Sequence, residues 1–196
     1  WGDKDKYNKD MVDWNYTGPK ETAEIFNKYE KNKDTLIFDA GCGTGLVGLE
    51  LKKYSFKNFH GADLSQTLLD SIPKDLYQKL VKVDLNKSIE VENNFYGGVM
   101  CVGTFTFGHV KPNALDEFIR ITKQGGFICF TVNEGIHEEY GFDKKIDILI
   151  QDIDEENDLL KTLKERLGLD NIKKLEKGVL WTMYFDKKVN AKKIAL

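Results

Sequence analysis

Asp39 stands just ahead of Gly41, Gly43 and Gly45, Asp63 closes an apolar segment 24 residues further on, and Asp84 closes another. Bare backbone beside carboxylates is the equipment of a ligand cradle. Glycines accept positive φ and let a ligand approach the main chain, and carboxylates accept hydrogen bonds from hydroxyl, amino or ammonium groups. A carboxylate ahead of the loop repels phosphate and suits a ligand with ammonium or sulfonium character. Further along, Gly103-Thr104-Phe105-Thr106-Phe107-Gly108-His109-Val110 gathers glycine, aromatic rings and a histidine. His109 could take a proton from an acceptor hydroxyl or amine near neutral pH, or it could be an orienting or simply packed ring. His60 and His137 are less suitably placed.

The elements that must hold these residues are legible around them. Leu36 to Phe38 is an apolar run ending at Asp39, and Leu46, Val47, Leu49, Leu51 and Tyr54 begin a helical pattern, so the stretch reads as strand, tight glycine loop and helix. The glycine spacing excludes two common cradles. A dinucleotide fingerprint wants its third glycine one residue later, where Leu46 stands, and no Gly-Lys-Ser/Thr run supplies a P-loop. A nicotinamide-dependent oxidoreductase is therefore disfavoured. Asn58 to Ala62 reads as a second strand ending at Asp63, whose carboxylate is placed to accept from two ribose hydroxyls; Leu64 could pack on an adenine face. The other reading of Asp63 is a helix cap, because Thr67 to Ile72 starts a helix. Tyr77 to Val83 is a third strand running into Asp84-Leu85, where a carboxylate could accept from an adenine amino group or simply end the strand. Phe95 to Val102 is the fourth, Lys111 to Thr122 a helix with Pro112 in its first turn, Lys123 to Gly126 a turn, and Phe127 to Val132 the fifth strand.

On either side lie a preamble and a tail. Residues 1 to 33 carry Trp1, Tyr7, Trp14 and Tyr16, then a helical pattern Ala23, Ile25, Phe26, Tyr29 with Pro19 in its first turn and Thr17 or Gly18 near its cap. Trp14 reads as packing; Tyr7 and Tyr16 read as packing or as a lid over the ligand. After a loop from Asn133 to Asp143, a helical period runs from Ile146 to Leu167 with Gly168 as C-cap. Asn171 to Glu176 and Val179 to Phe185 form a hairpin across Lys177-Gly178, and Lys187 to Lys193 is a frayed basic tail. The acids from Asp152 to Asp158 lack the glycine and terminal glutamate of a calcium loop and read as a solvated face.

The bulk properties fit this outline. The chain has 196 residues, 41% hydrophobic and 31% charged, enough for one domain with a real core. No apolar run reaches membrane-spanning length, and no signal peptide is visible. The formal net charge of −3 argues against a broad nucleic-acid surface. Cys42, Cys101 and Cys129 have neither metal-site nor disulfide spacing, which predicts reduced thiols in a cytoplasmic protein.

The run Asp39-Ala40-Gly41-Cys42-Gly43-Thr44-Gly45 resembles the first motif of the class I S-adenosylmethionine (SAM)-dependent methyltransferases. Tyr7-Asn8-Lys9-Asp10-Met11, Tyr16-Thr17-Gly18-Pro19 and the Cys101–Val110 segment are similar to the Williams–Beuren-region methyltransferase-like group. The resemblance implies a doubly wound, Rossmann-like α/β domain spanning 1–196. Residues 1–33 would be a cap or lid, 34–133 the SAM-binding core, and 134–196 helices and a hairpin. It implies a mainly parallel seven-stranded sheet of order 3-2-1-4-5-7-6, the last strand antiparallel, with helices on both faces. Gly41, Gly43 and Gly45 would pass under the methionine part of SAM, with Asp39 near its ammonium group and Cys42 in the same loop. Asp63 would hold the ribose, Leu64 the adenine face, and Asp84 and Leu85 the adenine edge, with Val102 also on the cofactor side. Tyr7 and Tyr16 would close the lid, and Thr104, Phe105 and Phe107 would meet the acceptor beside His109. The expected partner is a small-molecule methyl acceptor, with no metal and no membrane; the lack of an Asn-Pro-Pro-Tyr run after the fourth strand disfavours methylation of a nucleic-acid base or a protein amide. A SAM-binding protein without transfer activity is the alternative.

Overall fold

The computed structural model describes the backbone of residues 16–151, with side chains through 146, and the strand segments 174–175, 178–185 and 193–195. The first helix, α1 (Gly18–Tyr29), starts at Thr17 with a proline in its first turn. Proline suits that position because its missing N–H would have no intrahelical partner there. Then β1 (Ile37–Ala40) leads through the glycine loop to α2 (Leu46–Lys53), β2 (Phe59–Asp63), α3 (Gln66–Asp70) and β3 (Lys79–Lys82). The second half comprises β4 (Tyr96–Phe105), α4 (Ala114–Ile121), β5 (Thr122–Asn133), α5 (Glu134–His137) and α6 (Phe142–Gln151). Strands β6 (Lys174–Leu175), β7 (Gly178–Phe185) and β8 (Lys193–Ala195) complete the described elements.

Five strands, β3-β2-β1-β4-β5, pair in parallel and carry the site. Beyond β5 the sheet continues through β7, antiparallel to β5, with both β6 and β8 antiparallel to β7. Two points depart from the sequence expectation. The described sheet has eight strands, not seven, because Lys193–Ala195, which begins at the last residue of the expected tail Lys187 to Lys193, pairs with Phe185–Met183. The strand that opposes its neighbours is β7, and it is not the last in the chain.

Strand alternation decides what each face buries. Phe38, Ala40, Val99, Cys101, Ile128 and Phe130 face one cluster with Leu115, Phe118, Ile136 and Phe142 from α4, α5 and α6. Ile37, Met100, Val102 and Cys129 face the other, against Ala23 and Phe26 of α1 and Val47 and Leu51 of α2. Both faces of the parallel strands are therefore covered, as such strands require. All three cysteines are buried free thiols.

Several local expectations are revised. The helix expected from Lys111 begins at Ala114, and Pro112 lies ahead of it in a turn whose carbonyl accepts from Leu115 N at 3.0 Å. The Lys123–Gly126 turn is a bulge inside β5. Tyr96 pairs with Thr122 but Gly98 with Phe127, and Gly125 takes φ +77°. Residues Asn133 to Asp143, expected as loop, contain α5 and the start of α6. Trp1, the Tyr7–Met11 stretch, Trp14, the helical period from Ile153 to Leu167, Gly168 and the acids Asp152 to Asp158 lie outside the described residues.

Candidate functional site

The glycine loop crosses the carboxyl ends of β1 and β2. Gly41 N and Cys42 N donate to Ala62 O at 2.7 and 2.9 Å, and Gly45 N donates to Cys42 O at 2.8 Å. Gly41, Gly43 and Gly45 take φ values of +76°, +53° and +89°, a region open to glycine at little cost. At Gly41 the need is double, because an added methyl group would collide with the Thr104 side chain from β4.

Asp63 ends β2 at this crossing. One carboxylate oxygen accepts from Gly43 N at 2.9 Å and the other from Ser65 N at 2.8 Å. Each oxygen retains acceptor capacity, and Asp63 lines a cleft of about 530 Å³. The cap of α3 is Ser65, whose Oγ accepts from Leu68 N at 3.4 Å, so Asp63 is not consumed as a helix cap. Leu64, beside it in the same wall, is 63% exposed. A large apolar side chain held open beside a carboxylate offers a surface for an aromatic ligand group.

The cleft lies at the carboxyl ends of β1, β2, β3 and β4, where the strand order reverses between β1 and β4, the general ligand position in open α/β sheets. Gly41, Gly43, Asp63, Leu64, Asp84, Leu85, Asn86 and Val102 line it, together with Gly103, Thr104, Gly108, His109 and Val110 from the turn after β4. Asp84 is kept ionised by the backbone N–H of Asn86, which donates to it at 3.0 Å, and Lys87 lies 3.6 Å away; its pKa sits below the usual aspartate value. Gly103 N donates to Thr131 Oγ1 at 2.8 Å, which anchors the turn after β4 to β5. Tyr16 packs at the back of this turn: a methyl group added at Gly103 would meet Tyr16 Oη at 2.9 Å. Tyr7 lies outside the described residues.

Five sequence candidates occupy other positions. Asp39 points by strand alternation into the face covered by α1 and α2 and is 1% exposed. It does not line the cleft but sits beneath the loop, where Oδ2 accepts from Tyr77 Oη at 2.5 Å. Burial raises its pKa to about 7 against the opposing Tyr77 bond, with Asp63 adding a smaller upward push. Cys42 and Gly45 are also structural. The Cys42 thiol is buried and its pKa raised by that burial, and Gly45 packs against Leu76 and Tyr77. Phe105, expected beside the acceptor, is a core residue with its ring 4.8 Å from Phe142 and 5.8 Å from Phe130. Phe107 is 54% exposed and packs edge-on against Tyr140, outside the cleft lining.

Sequence reasoning passed over Tyr77 and Asn86 as site residues. Tyr77 carried a signal: an aromatic ring at the head of an otherwise exposed strand has to turn inward. Ser65 was read at the start of the helix after Asp63, and it is the N-cap of α3. Asn86 gave no signal, because the contacts that join it to the other side of the cleft are with residues 23 and 25 positions away. Among the described residues no group of histidine, cysteine and acidic side chains could hold a metal ion, and no helix is long and apolar enough to cross a membrane.

Sheet order, glycine crossing and strand-end carboxylates together define a Rossmann-like α/β protein. Residues 38–130 match the model of the methyltransferase domain. Methyltransferase-like protein 27 of Homo sapiens is 31% identical over 129 residues, which cover 64% of this chain and 52% of that protein. The chain thus spans about half the length of this curated relative. Both likenesses are to methyltransferases. Solved structures share the fold. A proposed SAM-dependent methyltransferase from Methanococcus maripaludis superposes with a TM-score of 0.59 at 19% identity, covering 95% of each chain. The proposed methyltransferase of Haloferax volcanii, solved in complex with its Trm112 activator, gives 0.57 at 20% identity over 71% of this chain and 63% of its own.

Proposed function

We propose that this protein transfers a methyl group from SAM to a small-molecule oxygen, nitrogen or sulfur nucleophile, with residues 34–133 as the donor-binding core. The observation that carries the reading is Asp63: a carboxylate bracketed by two backbone N–H groups, next to the open Leu64 side chain, at the glycine crossing. This donor set fits an adenosine, with Asp63 for the ribose hydroxyls and Leu64 for the base. Asp84 and Leu85 border the base edge, and the bare backbone of Gly41 and Gly43 leaves room for the amino-acid end.

When bound, SAM supplies an electrophilic methyl on a sulfonium and leaves as a neutral thioether. The chain's own residues have only to align the acceptor, exclude water and accept a proton where the nucleophile carries one. Gly103, Thr104 and Gly108 form the wall that would align it. His109, in the same wall, is the group proposed to take the proton. Asp39, held below the loop, acts on the donor half through its support of the loop and not by contact. A concave cleft of this volume supports a small acceptor over a macromolecule.

Calorimetry with SAM and S-adenosylhomocysteine should show binding of both, and Asp63→Ala should weaken it by about 1–3 kcal/mol through loss of charge-assisted hydrogen bonds. If neither ligand binds, the reading fails. With binding in hand, transfer of labelled methyl to metabolite and macromolecule pools separates an enzyme from a SAM-binding partner protein.

A further inference from the structure

The two walls of the cleft are mounted on one helix. The donor-side wall, Asp84-Leu85-Asn86, runs into residues 88–93, which α4 grips through a single ion pair. Glu117 Oε2 accepts from Ile89 N at 2.7 Å and from Ser88 Oγ at 3.2 Å. Arg120 donates to Ile89 O at 2.8 Å, Val91 O at 2.7 Å and Asn93 Oδ1 at 2.9 Å, while pairing with Glu117 at 2.8 Å. The opposite wall, ending in His109 and Val110, enters the same helix through Lys111 to Asn113. Between the walls stands Asn86. Its Oδ1 accepts from Lys111 N at 2.9 Å, and its Nδ2 donates to Asp84 Oδ1 at 3.3 Å and to His109 O at 3.4 Å. The amide orientation is fixed by chemistry, since Lys111 N can only donate.

We infer that Asn86 is a positioning residue which couples the two halves of the cleft, so that filling the donor half sets the backbone position of His109 in the acceptor half. The inference rests on the reading of the cleft as a SAM site. Asn86 touches Asp84, a donor-side residue, and the His109–Lys111 backbone through one rigid amide. Displacement of either wall therefore costs hydrogen bonds to the other. The Glu117–Arg120 pair holds the base of the donor wall still, so the remaining freedom is concentrated at Asn86.

The imidazole resonances report the coupling directly, because His60, His109 and His137 are the only histidines in the chain. S-adenosylhomocysteine is titrated into the wild-type protein and into Asn86→Ala, with Asn86→Asp as a variant that keeps the acceptor for Lys111 N. In the wild type, ligand should shift the His109 signals and leave His60 unmoved. In Asn86→Ala, affinity should fall by no more than about tenfold, the worth of one exposed hydrogen bond or two, while the His109 response disappears. Asn86→Asp should retain part of that response. An undiminished His109 response in Asn86→Ala overturns the inference, and so does loss of all binding, which would make Asn86 a simple part of the wall. If the wild-type protein binds no S-adenosylhomocysteine, the SAM reading itself fails and the inference falls with it, a result distinct from binding without coupling.

Discussion

Tyr77 Oη donates to Asp39 Oδ2 at 2.5 Å, tying the strand that feeds the glycine loop to the segment ahead of β3. Both groups are buried, and the second carboxyl oxygen, Asp39 Oδ1, has no hydrogen-bond partner. Removing the hydroxyl leaves a buried carboxyl with no bond from the tyrosine. Tyr77→Phe should therefore destabilise the protein by about 1–3 kcal/mol, read as a lower midpoint in urea unfolding. The ring remains against Gly48 and Phe59, so the loss should come without cavity formation.

The same pair predicts a pH dependence. Burial lifts the Asp39 pKa from 3.8 to about 7, so between those values the folded protein holds a proton that the unfolded chain releases. Stability from this group is complete below pH 3.8, declines as pH rises through the window, and has fallen by up to about 4 kcal/mol above pH 7. Asp39→Asn cannot titrate. The difference between wild-type and Asp39→Asn unfolding free energies, followed from pH 4 to pH 8, should move against the wild type as pH rises. A flat difference would mean that Asp39 is ionised at little cost.

Gly41 tests the loop. At φ +76° and against the Thr104 side chain, alanine meets both backbone strain and a clash. Gly41→Ala should cost about 1–3 kcal/mol or more and should also widen the junction between β1 and β4 that forms the floor of the cleft. Thr104→Ser in the Gly41→Ala background removes the clashing Cγ2 methyl and frees the remaining hydroxyl to rotate away, and should recover part of the stability in thermal unfolding.

These contrasts separate what could be read from sequence and what could not. The glycine run and the strand-end acids Asp63 and Asp84 were legible because local spacing alone places them at β-strand termini, and the cleft collects both acids. Asp39 belonged to the same pattern, but its side-chain direction is set by strand parity relative to which face the helices cover. That choice is made by Phe26, Val47 and Leu51, far from it in the chain. Phe105 and Phe107 differ for the same reason. Two residues apart, they would share a face on a regular strand, but β4 ends at Phe105, leaving one ring in the core and the other on the surface. Asn86 and the Glu117–Arg120 clamp are contacts across 23 to 31 residues, and no local period encodes them.

The clamp yields the last prediction. Hydrogen bonds from Arg120, then from Ile89 N and Ser88, hold the Glu117 carboxylate down to a pKa of about 2, from 4.5, against a smaller upward push from burial. A depressed pKa contributes stability above pH 4.5 that is lost as pH falls through 2. Glu117 is one-fifth exposed, and solvent screening reduces the contribution to about 1–2 kcal/mol. Glu117→Gln should lower the unfolding free energy at pH 7 by about that amount and flatten the acid limb of the stability profile between pH 4.5 and 2. Since the clamp holds residues 88–93 rather than the ligand, amide exchange at Ile89, which donates to Glu117, should accelerate before any global unfolding. Equal exchange rates in the variant and the wild type would show that the segment is held by other contacts.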